Sequence, residues 1–280
     1  MIGAPVPALA GLREGGHEAR SPSRNTAGGY NEMGSSHKLW DTEDRMTQRK
    51  FEPYGGRDPR TLPRYGVSEA ARCVVMPPAT IRSWVIGREY PRQEGPAYFE
   101  PLVRMADEKR HLLSFENLIE LHTIKALRTE HAVRLKDIRT ALKYAEDQFH
   151  IDRLLLRKEL RTAAGSLFLD KLGELVNLSK SGQLSLKTIL DRYLVRIEWE
   201  GKSPARLFPV YPSFGDLAER KIIAIDPFIS FGHPIVRSKG ISTSVIVSRI
   251  DAGEDPDSLA SDYDLDRDEI TEAILYERAA

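Results

Sequence analysis

The sequence predicts a mainly α chain in which two helical units flank a small α/β middle segment. Three observations carry that reading. Residues 240–276 contain three short stretches, each with its own helix-start signal and apolar residues recurring at i, i+3, i+4. Residues 65–90 hold two helix starts separated only by a tight turn. Residues 194–199 and 205–210 alternate around Glu200-Gly201-Lys202-Ser203, as a hairpin does. At 280 residues the chain has room for two or three modules.

Taken in order, residues 1–36 are rich in Gly, Ala, Pro, Ser and Asn and poor in large apolar groups. They bury too little surface to offset their ordering entropy, so a disordered tail is expected. Met33 and Met46 are alternative starts that the sequence permits, and Leu39-Trp40 and residues 51–54 are candidates to dock on the helical unit after them. Ser68 is the expected N-cap of a helix over 68–73, residues 74–77 form a turn, and Pro78 opens a second helix to about 86. In that second helix Ile81, Trp84 and Val85 face a core, which leaves Ala79, Thr80, Arg82 and Ser83 outward.

Beyond Gly87, residues 98–103 and 111–113 around a charged 107–110 turn read as a β-hairpin wing. Ser114 then caps a long helix carrying Leu118, Leu121, Ile124, Lys125 and Leu127 near one face. A further helix starts near Leu135, with Ile138, Leu142, Ala145 and Phe149 on one side. In the middle segment, 167–169 and 174–178 are expected to pair as strands and 184–193 to form an amphipathic helix. The segment would brace the flanking units or offer a self-association surface.

The last unit opens with a strand-like 222–225. The first of its helices presents Val245, Ile246, the Arg249 stem and Ile250 on one face and ends at Gly253 as a left-handed cap. Asp255-Pro256 is an N-cap followed by proline at the first helical position, and Leu259, Ala260 and Tyr263 form its buried edge. Asp266 with Glu269 has capping-box spacing, followed by Ile270, Ala273 and Ile274. Helices this short are marginal alone and must fold together. The expected division is a tail at 1–36 and units at 58–150, 162–212 and 218–280.

Charge sorts the units. Net charge is formally zero, yet residues 57–92 hold seven Arg against three acids and residues 251–280 hold eleven acids against two Arg. A front that meets polyanion and an end that does not is the implied arrangement. Arg64, Arg72, Ala79, Thr80, Arg82, Ser83, Arg88 and Arg92 are therefore the candidate DNA-binding residues. The final helix has a recognition-helix shape, but Asp264, Asp266, Asp268, Glu269 and Glu272 would repel phosphate, so protein contact suits it better.

Other chemistries fit poorly. The acids at 262, 264 and 266 suggest a calcium loop, but the sixth and twelfth positions are Arg267 and Ala273 instead of Gly and Glu. Gly201-Lys202-Ser203 lacks the leading glycine of a phosphate loop, since Arg196 stands there. No His pair has metalloprotease spacing, and Cys73 reads as a small buried hydrophobe without a base partner. Neither a cofactor, a metal nor an enzyme constellation is expected. The single cysteine suits a reducing cytoplasm, no run approaches the roughly 18 apolar residues of a membrane span, and the first twelve residues lack the features of a signal peptide.

Two resemblances follow from these motifs. Gly66-Val67-Ser68-Glu69-Ala70-Ala71, Thr80-Ile81-Arg82-x-Trp84 and Leu135-Lys-Asp-Ile138-Arg139, in that order, resemble the MerR-type winged helix, with a longer wing and no metal-sensing cysteines. Ile225-Asp226-Pro227, Gly232-x-Pro234-Ile-x-Arg237, Ile241, Ala252-Gly253, Asp262-Tyr263 and Glu269-Ile270-x-x-Ala273-x-x-Tyr276 resemble the small C-terminal domain of VapB-type antitoxins. That family usually carries Arg-Gly-Thr-Arg where this chain has Arg237-Ser238-Lys239-Gly240. Together they imply a homodimeric antitoxin that binds double-stranded operator DNA through its front. Its C-terminal unit would bind a PIN-domain ribonuclease toxin, with Arg237 and Lys239 as candidate partner-binding residues. The alternative is a stand-alone MerR-like transcription regulator whose C-terminal unit dimerises or senses a ligand.

Overall fold

The computed structural model describes residues 54–91, 95, 97–129, 133–211 and 219–279. The expected tail at 1–36, the Leu39-Trp40 pair and the candidate Arg92 lie outside the described residues. Among the described residues the architecture is mainly α with small antiparallel sheets, and no helix is long and apolar enough to cross a membrane.

The front begins with β1 (Tyr65–Gly66), α1 (Val67–Cys73) and α2 (Pro78–Val85). α1 starts at Val67 behind an extended Gly66, and no side chain caps it, so Ser68 lies inside the helix instead of capping it. In α2, Ile81, Trp84 and Val85 are buried and Ala79 and Arg82 are exposed, as the spacing requires.

The hairpin after α2 forms from different residues than those expected for a wing. β2 (Arg88–Tyr90) pairs antiparallel with β3 (Ala97–Phe99), while β4 (Leu112–Leu113) pairs with β1. The physical reason is Gly87. Its φ is +87° and a Cβ there would stand 2.4 Å from the Phe99 carbonyl oxygen, so only glycine lets the chain reverse directly after α2 against β3. Leu113 is then drawn beside Tyr65, where both are buried.

α3 (Phe115–Thr129) follows, its N-terminus closed by a reciprocal cap: the Asn117 amide donates to Ser114 Oγ at 3.3 Å and the Ser114 amide to Asn117 Oδ1 at 3.0 Å. α4 (Leu135–Phe149) buries Ile138 and Ala145 but leaves Phe149 at 41% exposure. α5 (Ala163–Leu175) replaces the strand pair expected at 167–178. Ala164, Phe168 and Leu172 stand four apart, and Gly165, Leu169 and Gly173 do the same, giving a helical stripe. The glycines permit close approach. A Cβ at Gly165 would lie 1.7 Å from the Leu160 carbonyl oxygen, so glycine serves packing here and does not break the helix. α6 (Lys180–Leu194) is capped by Ser179, whose Oγ accepts from the Gly182 amide.

β5 (Ile197–Glu200) and β6 (Ser203–Leu207) form the expected hairpin around Gly201, whose φ is +60°. They continue into β7 (Ile223–Ile225), β8 (Pro234–Val236) and β9 (Ile241–Ser242), giving one antiparallel sheet ordered β5-β6-β7-β8-β9. Alternation divides the faces. Ile223 and Val236 pack under α7 (Thr243–Asp251), α8 (Pro256–Tyr263) and α9 (Arg267–Ala279), while Ala224 and Ile235 contact Phe208. The expected caps are present: Asp255 accepts from the amides of Asp257 and Ser258, the Asp266 amide donates to Glu269 at 2.9 Å, and Gly253 has φ +95°. Of the two adjacent residues expected on the buried face, Ile246 is fully buried and Val245 is 45% exposed.

Hydrogen bonds tie the front to the C-terminal unit. Tyr65 Oη donates to the Gly232 carbonyl at 2.9 Å and Tyr276 Oη to the Arg72 carbonyl, while Lys125 Nζ joins α3 to the carbonyls of Val74 and Val75 in the front and of Val210 in the middle segment. Burial pushes the Lys125 ammonium down to about 8.

Candidate nucleic-acid interface

α2 presents its polar face to solvent because Ile81, Trp84 and Val85 take the opposite one. Two features hold it in place. The Leu102 amide donates to the Trp84 carbonyl at 2.7 Å, and Tyr98 Oη donates to the Ile86 carbonyl at 2.6 Å, which fastens the β2–β3 hairpin to the end of the helix. The junction of α3 and α4 comes up on the other side. Between them opens a cleft of about 610 Å³ lined by Ala79, Thr80, Arg82, Ser83 and Arg88, together with Arg128, Arg134 and Lys136.

Five lining side chains are cationic and none is a carboxylate. Arg128 stacks over the Trp84 ring at 6.0 Å and donates to the Val133 carbonyl, so it is held as part of the wall. Arg134 is paired with Asp137 at 2.8 Å. Among the described residues no carboxylate pairs with Arg82, Arg88 or Lys136. The Ser83 hydroxyl donates to the Thr80 carbonyl and keeps its lone pairs outward. The cleft is thus a positive, concave surface with guanidinium forks, suited to phosphate oxygens.

Of the candidate DNA-binding residues, five gather in this cleft, namely Ala79, Thr80, Arg82, Ser83 and Arg88. Arg64 lies elsewhere, against the Tyr65 and Phe231 rings at 5.5 and 5.9 Å. Arg72 is ion-paired with the largely buried Glu277 of α9 at 2.7 Å. Arg128, Arg134 and Lys136 were not among the candidates. Their signal in the sequence is a second basic run spanning the α3–α4 junction.

The two candidate partner-binding residues also separate. Lys239 pairs with Asp264, which holds that carboxyl below its ordinary range, whereas Arg237 lies over the Phe208 ring at 5.4 Å.

Residues 223–276 match a family described as a protein of unknown function, DUF433. The chain is 24% identical over 229 residues to a Mycobacterium tuberculosis protein named "Putative antitoxin VapB45", covering 76% of this chain and 93% of that one. It is also 24% identical over 220 residues to the uncharacterized protein Rv2308 of the same organism, covering 76% and 89%. The crystal structure of Rv2018 from Mycobacterium tuberculosis shares the fold, with a TM-score of 0.55 at 20% identity over 76% of this chain and 98% of that one.

Proposed function

We propose that this chain is a DNA-binding antitoxin. In this reading residues 65–149 act as a MerR-like winged helix whose cleft meets double-stranded operator DNA, and the C-terminal unit binds a PIN-domain ribonuclease toxin. The chain neutralises that toxin, represses its own operon and works as a cytoplasmic homodimer without enzymatic activity. The cleft at α2 is the observation that carries the DNA half: five cations from α2, β2, α3 and the start of α4 line it with no lining carboxylate. The relative named as an antitoxin, of which 93% is covered, supports the toxin half.

Co-expression of the full chain with the adjacent reading frame tests both halves. The expected outcome is a stable complex in which ribonuclease activity is silenced and which shifts upstream DNA in a salt-dependent manner. A lone homodimer that binds DNA but forms no complex would instead establish the stand-alone regulator. Absence of both interactions overturns the reading altogether.

A further inference from the structure

A second cationic recess is lined by residues of the middle segment and of the sheet. Arg161 at the end of a 3-10 turn, Lys221 just before β7 and Arg237 just after β8 converge on a concavity of about 420 Å³. Its floor is Phe208, whose ring has Lys221 Nζ 4.9 Å and the Arg237 guanidinium 5.4 Å from its centroid. One acid lines the recess, Glu198, and its carboxylate is engaged by Arg206 at 3.1 Å. Among the described residues no carboxylate forms an ion pair with Arg161, Lys221 or Arg237. The backbone amides of Phe208 and Arg237 are already engaged, donating to the Arg196 and Ile222 carbonyls.

Three separate elements thus bring like charges together around an aromatic wall, an arrangement that opposes itself until an anion enters. Burial first, and then Arg196, Arg237 and Arg161, hold the Lys221 ammonium below the usual lysine range against the pull of Glu198. A dianion matches three cations better than a single carboxylate, and guanidinium forks fit phosphoryl oxygens bidentately. We infer that the recess formed by Arg161, Lys221 and Arg237 over Phe208 binds the phosphoryl group of a small, free ligand, separately from the cleft at α2.

The test uses the full chain and inorganic phosphate, read by thermal unfolding and phosphorus NMR, with sodium chloride at matched ionic strength as the comparison. A saturable rise in Tm that chloride does not reproduce is expected, since a ligand of the native state stabilises by mass action. Arg161→Gln, at an exposed position, should weaken apparent phosphate affinity about tenfold, the loss of one charge-assisted hydrogen bond. Lys221→Gln should do the same, and Arg161→Gln stands alone if Lys221→Gln fails to fold. The double variant Arg82→Gln/Lys136→Gln should leave phosphate binding unchanged while reducing DNA binding, so the two readings fail separately. An equal rise with chloride, a parental titration in Arg161→Gln, or a response confined to duplex DNA overturns the inference.

Discussion

Arg82 and Arg72 are both arginines on the short front helices, yet their surroundings are opposite. Arg82 stands in the cleft without a carboxylate, and Arg72 is committed to Glu277. If the cleft meets phosphate, Arg82→Gln should weaken DNA binding and reduce the slope of log K against log salt by about one unit, whereas Arg72→Gln should leave that slope unchanged. Fluorescence anisotropy across a salt series measures both. A second residue, His122, is fully buried, with Nε2 facing the Tyr193 carbonyl at 3.1 Å and Nδ1 without a hydrogen-bond partner among the described residues. Burial pushes its pKa down to about 3. The unfolded chain binds this proton below about 6.5 and the folded chain does not until about 3, so stability present at neutral pH is lost as pH falls through that window. His122→Gln, which keeps a donor but cannot titrate, should lack up to about 1.4 kcal/mol per pH unit of that slope in chemical denaturation.

Among elements, the turn before β8 shows how one glycine joins two units. Gly232 has φ +73°, and a Cβ on it would lie 2.2 Å from Tyr65 Oη, the hydroxyl that donates to its own carbonyl. Gly232→Ala should cost about 1 to 3 kcal/mol from backbone strain, with the clash adding to it. Tyr65→Phe removes the clashing oxygen, so the double variant should lose less than the two single variants summed, a coupling that urea titration reads directly. The caps and apolar spacings of α7–α9 were legible residue by residue because a cap is a local hydrogen bond and a helical face needs only its own periodicity. The strand pair expected at 167–169 and 174–178 was not, since short apolar segments do not tell strand from helix, and the close packing of Gly165 and Gly173 shows only once Leu160 and Gln183 lie against them. The hairpin expected at 98–113 differs for a similar reason: whether Leu112–Leu113 meets residues 98–103 or β1 depends on which partner is buried nearby.

Across the whole molecule, buried hydroxyl and thiol groups gather where α1 meets the C-terminal unit. Cys73, Tyr65 and Tyr276 are each raised above their ordinary pKa, first by burial, and Tyr211 is raised by burial and then by its hydrogen bond to Glu272. The folded chain keeps these protons after the unfolded chain has released them, so stability should fall as pH rises past about 9 to 10. Thermal unfolding followed from pH 7 to 11 checks the sign, and a Tm that holds steady across that range would contradict it. Charge behaves differently at this scale than along the chain. Of the eleven acids after residue 250, Asp251, Glu254, Asp257, Asp262, Asp264, Asp268 and Glu277 are ion-paired, several with cations from earlier in the chain such as Arg72, Arg220 and Lys239. What the sequence determined by itself was the mainly helical class, the caps at Ser114, Asp255 and Asp266, the hairpin at Gly201 and the outward face of α2, all set by local periodicity and hydrogen bonding. Only the tertiary structure decided which cations stay free. Pairing depends on distances between residues far apart in sequence, which placed Arg72 on Glu277 and brought Arg128, Arg134 and Lys136 to the cleft.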